Sequence, residues 1–467
     1  MKVALIRPPT LQGDLIKAGF VQHPINILYL ASMLKKYGHD VELFDHEVEE
    51  FSVDKIREFS PNIVGVTAIT PRIEKANEII KAIKAAMPVV GIVGGPHPTA
   101  LPKETLEEFR DIDICVTGEG EYSLLEICEA LEKGGELSGI KGIAFRDNGR
   151  IVVNERRPPI ANLDDLPFPD RDLLKHSLYK GASTPGFSRH FLNITEIYTS
   201  RGCPFSCIFC AAWETHGRAV RYRSIDNLIE EMKQCIEKYK INHFTIDDDN
   251  FTLRKNRVLE FCEKVKGMNI TWDCDSRVTI DKETVDAMAR AGCKKIAFGV
   301  ESGSPRVLQL NRKSITLDQV RNAIKLAKDA GMQITAFYMI GSHPDETLED
   351  IELTKKLIRE TEPDYITASI AIPFPGTELY NIMEKNNLIL EKKWSNFAFF
   401  NTKPTWKTFH FSPDDLVSIQ NDMLKWFYMR PSYILRRIGK IRSYGELSYW
   451  AGSGIALLKY LFLRKHA

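Results

Sequence analysis

The run Arg201-Gly202-Cys203-Pro204-Phe205-Ser206-Cys207-Ile208-Phe209-Cys210 follows directly on a predicted strand over residues 194–199. Three thiols fall within eight residues, in a loop that also carries glycine and proline. Such a loop lets thiolates converge on one metal centre, because the ligands need backbone freedom to point inward together. A structural zinc site takes four ligands, and no further Cys or His stands at zinc spacing nearby, although His216 lies six residues beyond Cys210. An iron-sulfur cluster fits better.

Outward from this loop the chain alternates short apolar runs with helical patterns. Strands are predicted near 194–199, 243–247, 270–275, 295–300, 333–340 and 365–371, with helices such as Leu228/Met232/Ile236 and Val320/Ala323/Ile324/Ala327 between them. Six βα units in succession predict a partial (β/α)6 barrel of the TIM type over 191–410, whose chemistry sits at the carboxyl ends of the strands. The second strand closes on Ile246-Asp247-Asp248-Asp249-Asn250, where adjacent carboxylates repel unless they meet donors or cations. Asp247 or Asp249 is the candidate there, against an ordinary solvated turn. Arg277 stands just past the third strand, and Gly299-Val300-Glu301-Ser302-Gly303 closes the fourth. Cys235, Cys262, Cys274 and Cys293 lie on helix or strand patterns and read as small core hydrophobes.

Before the barrel, Lys2–Arg7, Val41–Phe44, Ile63–Ala68, Val89–Val93 and Ile114–Thr117 are predicted strands with helices between them, a doubly wound flavodoxin-like domain over 1–140. Gly94-Gly95-Pro96-His97-Pro98-Thr99 follows its fourth strand and Gly118-Glu119-Gly120-Glu121 its fifth. Paired glycines let a backbone approach a bulky ligand, and donors at the next helix start suit phosphate or amide groups. Residues 141–190 hold a hairpin around Asp147-Asn148-Gly149 and then proline-rich chain, and read as a linker. Beyond 411 the pattern is helical.

The length of 467 residues suits two to three domains, and a hydrophobic share of 43% with 27% charged excludes disorder and a small disulfide scaffold. Nine scattered cysteines, an odd number, and an N-terminus without a secretory pattern predict a cytoplasmic protein. The net charge of +1 hides an asymmetry: residues from Lys425 onward balance at +8, leaving −7 for the rest. Trp426, Phe427, Tyr428, Ile434 and Leu435 lie among Arg430, Arg436, Arg437 and Lys440, which predicts peripheral contact with the inner membrane face. Gly454–Leu463 is apolar but interrupted by Lys459 and too short to span a bilayer.

Cys-x3-Cys-x2-Cys with an aromatic before the last cysteine, after the first strand of a six-unit barrel, resembles the signature of the radical S-adenosylmethionine superfamily. The resemblance implies that Cys203, Cys207 and Cys210 hold three irons of a 4Fe-4S cluster, with the fourth iron chelated by the methionine moiety of S-adenosylmethionine. It implies Phe209 near the adenine, Asp247 or Asp249 toward the methionine end or substrate, Arg277 on the methionine carboxylate, and Glu301 with Ser302 near the ribose. The strand ends Tyr338-Met339-Ile340-Gly341 and Pro373-Phe374-Pro375-Gly376-Thr377 also resemble family segments and are expected to shape the substrate mouth. Coupled to such a barrel, the glycine segments resemble the cobalamin-binding domain of the cobalamin-dependent branch, which implies cofactor contacts from Gly94, Gly95, Pro96, His97, Thr99, Gly118, Glu119, Gly120 and Glu121.

The Asp-x-His-x-x-Gly motif of many cobalamin domains is absent, and Asp45-His46 has the wrong spacing, so the resemblance implies a cobalt without a histidine on its lower face. His97 is then expected to hold the nucleotide tail or stabilise its own turn. The activity implied is methylation by way of methylcobalamin of an unactivated carbon in a small-molecule or lipid-like substrate, consuming two S-adenosylmethionines per turnover. An electron donor such as flavodoxin or ferredoxin is implied, and no nucleic acid. Cyclisation or rearrangement with the same cofactors is the nearer alternative. A non-catalytic cobalamin-binding regulator is the farther one, and the intact cysteine triad argues against it. A tRNA methylthiotransferase is disfavoured, because the first domain lacks an additional cysteine triad.

Overall fold

A computed structural model describes residues 1–9, 21–179, 193–398 and 403–439. Its first sheet holds β1 (Lys2–Arg7), β2 (Asp40–Asp45), β3 (Ile63–Thr67), β4 (Val90–Gly94), β5 (Ile114–Val116), β6 (Ile143–Asp147) and β7 (Arg150–Val153), in the order β2-β1-β3-β4-β5-β6-β7. The first five are parallel, the doubly wound arrangement expected, and the order reverses between β1 and β3. Ligands of such sheets enter at the carboxyl ends beside that reversal. Both faces are covered, which is why the strands read as near-continuous apolar runs. One cover is the helix Ile25–Lys36, which buries Ile27, Ala31 and Leu34 and gives way to Gly38 at φ +85°. Another is Ile73–Ala86, which buries Ala76, Ile79, Ile80 and Ile83.

The hairpin β6–β7 lies antiparallel along β5, so the first sheet extends past residue 140 into the stretch that the sequence assigns to a linker. Its turn residues Asn148 and Gly149 hold φ of +49° and +81°, the left-handed pair that an Asn-Gly hairpin turn requires.

The second sheet is parallel throughout and runs in chain order: β8 (Ile194–Ile197), β11 (His243–Ile246), β12 (Thr271–Ser276), β13 (Cys293–Glu301), β14 (Gln333–Ile340) and β15 (Tyr365–Ile370). This is the predicted six-stranded open barrel. Between β8 and β11 a short antiparallel pair, β9 (Ser200–Arg201) and β10 (Arg221–Tyr222), brackets the cysteine loop. Phe251, Phe261 and Trp272 pack edge to face at 5.3 to 5.6 Å, and Cys235, Cys262, Cys274 and Cys293 are buried, as expected.

The open edge at β15 exposes backbone groups that need partners. The helix Pro413–Tyr428, started by a capping box between Ser412 and Asp415, supplies them. Tyr428 Oη accepts from Ile366 N at 3.1 Å and donates to Ile366 O at 2.7 Å, while Gln420 Nε2 donates to Ala368 O at 2.7 Å. This use of the segment corrects the membrane expectation in part. Phe427 and Tyr428 face the barrel, Trp426 stacks with Arg359 and Arg430, and Arg437 is buried over Tyr365. Ile434 and Leu435 stay exposed, joined by Met429 and Ile438. Lys440 and Gly454–Leu463 lie outside the described residues. Among the described residues no helix is long and apolar enough to cross a membrane.

Candidate active site

The cysteine loop is pinned at each flank. Asp248, the middle carboxylate of its triplet, accepts from Thr199 N at 2.6 Å and Ser200 N at 3.0 Å, and also from both hydroxyls. The sequence singles out its neighbours instead, because a pattern of three acids does not reveal which one turns inward. Gly202 holds φ +98°, and a Cβ there would lie 2.6 Å from the Ala219 carbonyl oxygen, so only glycine can start the loop. Ile208 N donates to Asn311 O at 3.2 Å and Ile208 O accepts from Leu379 N at 2.9 Å, tying the loop to two barrel segments.

So held, Cys203, Cys207 and Cys210 face one cavity of about 190 Å³, together with Phe205, Phe209, Asp249, Asp275, Arg277, Glu301, Lys313 and Phe337. Burial pushes the Cys203 thiol up, and Cys210 up to about 11. Neutral thiols in such a wall become thiolates when a metal cation meets them. Among the described residues no three donors stand closed around a metal-sized point, and the three thiols form one rim of the shared cavity. A cluster that takes three protein ligands fits this rim.

The rest of the wall follows the sequence in part. Glu301 sits at φ +69°, beside a break in the β13–β14 register, and its Oε1 accepts from Lys313 Nζ at 2.8 Å. A non-glycine residue held left-handed stores strain of about 1–3 kcal/mol, which the buried ion pair helps to hold. Ser302 turns away from the cavity: its Oγ accepts from Ser304 N at 3.1 Å and lies 3.3 Å from Thr354 Oγ1. Asp249 reaches the cavity, with its carboxyl pushed up by burial. Asp247 is pushed up to about 6 by burial, against a hydrogen bond from Tyr198. Asp275, which the sequence reading misses, faces the cavity and is pushed up to about 7 by burial, against the attraction of Lys295. Lys313 is missed as well. Both belong to ordinary-looking stretches, and only the tertiary fold brings them to the cysteines.

In the first domain, Gly95 holds φ +119°, and an added Cβ would lie 2.8 Å from the Ala68 carbonyl oxygen. Gly118 holds φ +69°, and its N–H donates to Thr99 Oγ1 at 3.0 Å, so the two glycine segments form one surface with Gly94, exposed Pro96 and Gly120. His97 is buried, with Nδ1 3.3 Å from Thr70 Oγ1 and its ring edge-on to Trp394, and burial drives it down to about 4. These contacts tie its turn to Thr70 and to Trp394. Glu119 and Glu121 turn toward the barrel. Glu119 accepts from Arg221 at 2.8 and 2.9 Å and pairs with His216 at 3.1 Å, and Glu121 pairs with Arg201 at 2.6 Å. Burial raises Glu119, but these donors outweigh it and bring the carboxyl down to about 2.

The two platforms meet on the short helix Ala212–His216, which begins two residues after Cys210. A Cβ added to Gly118 would lie 3.7 Å from its Thr215 carbonyl oxygen, and His216 at its end is the residue paired with Glu119. The description "Radical SAM superfamily" matches residues 197–358, and "B12 binding domain" matches 12–128. An uncharacterized methyltransferase of Pyrococcus horikoshii is 36% identical over 446 residues, covering 94% of this chain and 95% of that protein. The chain belongs to the cobalamin-dependent radical S-adenosylmethionine methyltransferase family.

As a member of that family it is an enzyme whose cofactors are a 4Fe-4S cluster, S-adenosylmethionine and cobalamin. A second relative, the anaerobic magnesium-protoporphyrin IX monomethyl ester cyclase of Rubrivivax gelatinosus, is 28% identical, covering 94% of this chain and 85% of that one. The solved structure of the radical S-adenosylmethionine methyltransferase TsrM from Kitasatospora setae, with cobalamin and a 4Fe-4S cluster bound, shares the fold. Its TM-score is 0.72 at 16% identity, with 98% of both chains covered.

Proposed function

We propose that this family member carries a methyl group, by way of methylcobalamin, onto an unactivated carbon of a small-molecule or lipid-like substrate. The observation that supports the reading is the helix Ala212–His216, which joins the cysteine cavity to the glycine surface. Radical formation and methyl delivery must reach the same carbon, and two platforms sharing one turn of helix allow it. When bound, the cluster with S-adenosylmethionine supplies the hydrogen-abstracting radical, and cobalamin supplies the methyl group.

The chain's own groups hold and orient. Cys203, Cys207 and Cys210 are the iron ligands. Phe209 offers an aromatic face to the adenine, and Glu301 accepts hydrogen bonds from ribose hydroxyls. Lys313, held by Glu301, meets a carboxylate, and Asp249 meets an ammonium group. Asp275 exchanges a hydrogen bond with a polar part of the substrate. The backbone around Gly94, Gly95, Gly118 and Gly120 lies close against the corrin.

Anaerobic reconstitution, followed by mass analysis for methylcobalamin, deoxyadenosine and S-adenosylhomocysteine, tests the reading. All three are expected, with a product in which methyl has replaced hydrogen, a net gain of one CH2. A product that has lost hydrogen without gaining methyl overturns it in favour of ring formation, the reading that the cyclase relative suggests. We also propose that the exposed apolar side of the helix Pro431–Ile438 rests on an anionic membrane.

A further inference from the structure

We propose that Arg277 is a positioning and tuning residue of the cluster: its guanidinium, fixed beside Cys207, raises the reduction potential of the iron-sulfur centre. The inference rests on the cluster reading of the three cysteines and replaces the role expected from the sequence, that of a partner for a methionine carboxylate.

The residue is held from three directions. Its guanidinium lies 3.7 Å from the centre of the Phe205 ring. Nη2 donates to the carbonyl oxygen of Lys313 and, at 3.5 Å, to that of Ser314. The backbone N–H donates to Asn250 Oδ1 at 3.3 Å. What remains points at sulfur: Nη1 stands 4.0 Å from Cys207 Sγ. Arg277 is buried, its Nε has no hydrogen-bond partner, and among the described residues no carboxylate pairs with it. A buried guanidinium without a carboxylate is costly unless another anion stands close, and thiolate-ligated iron-sulfur is such an anion.

One turn, Asn311–Ser314, fixes both partners. Arg312 and Ser314 hold φ of +51° and +52°, a strained geometry for residues with side chains. It aims successive carbonyls into the site: Asn311 O takes Ile208 N of the cysteine loop, Arg312 O lies 3.9 Å from Cys207 Sγ, and the next two hold Arg277. The turn is itself anchored. Asn311 Nδ2 donates to Ser342 Oγ at 2.8 Å, and Arg312 grips Glu378 with two contacts of 2.6 Å. The sulfur-to-guanidinium spacing is therefore built into the fold.

Reduction adds a negative charge to an already anionic centre, and a fixed, buried cation at this distance favours the added electron. Cluster potentials respond to hydrogen bonds and charge at the sulfurs. Arg277 thereby makes the first electron easier to accept from the donor.

The test is a redox titration of the reconstituted protein followed by electron paramagnetic resonance, with iron and sulfide assayed, in the absence of S-adenosylmethionine. Arg277→Gln is expected to keep its iron and to show an approximately tenfold lower ratio of reduced to oxidised cluster at a fixed potential, which for one electron is about 59 mV. Arg277→Lys keeps the charge without the fork and is expected to fall between. Phe205→Leu frees the guanidinium while leaving the charge, and is expected to move the potential the same way by less. An unchanged potential in iron-loaded Arg277→Gln, with weaker S-adenosylmethionine binding as its sole defect, overturns the proposal and restores the carboxylate role. Loss of the cluster in Arg277→Gln, with Arg277→Lys and Phe205→Leu at the wild-type potential, overturns it too. Failure of the cluster reading would look different, since the wild-type chain itself would then hold no iron and sulfide.

Discussion

In the first domain the surface that faces the barrel is shaped by backbone. Gly95 and Gly118 take conformations that side chains rarely adopt, while His97, Glu119 and Glu121 are turned to bracing and inter-domain pairing. In the barrel the wall is built from side chains: three thiols, Asp249, Asp275, and the pair Glu301–Lys313. A large planar ligand asks for close, shape-matched backbone, whereas a cluster and a charged cosubstrate ask for specific donor atoms. Mutations in the two regions should accordingly fail in different ways.

The sharpest separation comes from Cys203→Ala, Cys207→Ala and Cys210→Ala. Each is expected to abolish cluster assembly, because three thiolates are the fewest that hold three irons, while cobalamin binding stays at the wild-type level. Iron, sulfide and bound corrin are measured on one anaerobic sample. Full iron in any of these variants breaks the assignment, and joint loss of corrin breaks the independence of the two regions.

Next in size is the contact between them. Glu119→Gln leaves Arg221 without its buried carboxylate and Arg201 with Glu121 alone, and breaking such a network costs about 3–5 kcal/mol. Denaturant unfolding of the variant is expected to show a loss of that order. The same group sets a pH dependence. Its carboxyl is near 2 when folded and near 4.5 when free, so the stability it contributes is complete above about pH 5 and drains away as pH falls from there toward 2. The wild type should lose stability through this window, and Glu119→Gln should lose less. Equal slopes would show that Glu119 does not carry the acid sensitivity.

Gly95→Ala is expected to act within the first region alone. The added Cβ meets the Ala68 carbonyl at 2.8 Å with φ at +119°, and the strain amounts to about 1–3 kcal/mol. Titration with cobalamin should show weaker binding, with cluster content unchanged. Unaltered corrin affinity would mean that the glycine serves folding and not the ligand.

The two regions also differ in how much of them could be read from the sequence. The alternation of apolar runs and helical stripes is local, so the five parallel strands of the first sheet and the six of the second were legible, whereas the docking of the β6–β7 hairpin onto β5 was not. The three cysteines that share one cavity were legible as a group because they lie within eight residues. Glycines at strand ends stood out for the same reason, and Gly95 and Gly118 do take the left-handed backbone such turns need. What escaped is non-local: Lys313 reaches Glu301 because of a strained turn, Asp275 near the carboxyl end of β12 lines the same cavity as the cysteines, and Asp248 alone of three acids turns under Thr199 and Ser200. Glu119 looked like a ligand group because its arginine partners lie about a hundred residues away.

The smallest effect is expected far from both platforms. Packing of Phe427, Tyr428 and Arg437 on the barrel leaves the helix Pro431–Ile438 with a modest apolar side, on which Leu435 is 69% and Ile438 59% exposed, beside Ile434 and Met429. Arg436 already pairs with Glu362 and Arg430 lies over Trp426, so the attraction from the described cations is weaker than the local charge of +8 suggests. With each cation near an anionic leaflet worth about 1 kcal/mol, attachment should be weak and sensitive to salt. Co-sedimentation with anionic liposomes is expected to retain part of the protein at low salt and little at high salt, and a Leu435→Asp, Ile438→Asp double variant should retain less at low salt. Both residues are solvent-exposed, so the substitutions leave the barrel contacts intact. Equal sedimentation of variant and wild type, or none by either, would remove the membrane from the account and with it the main reason to favour a lipid over a water-soluble substrate.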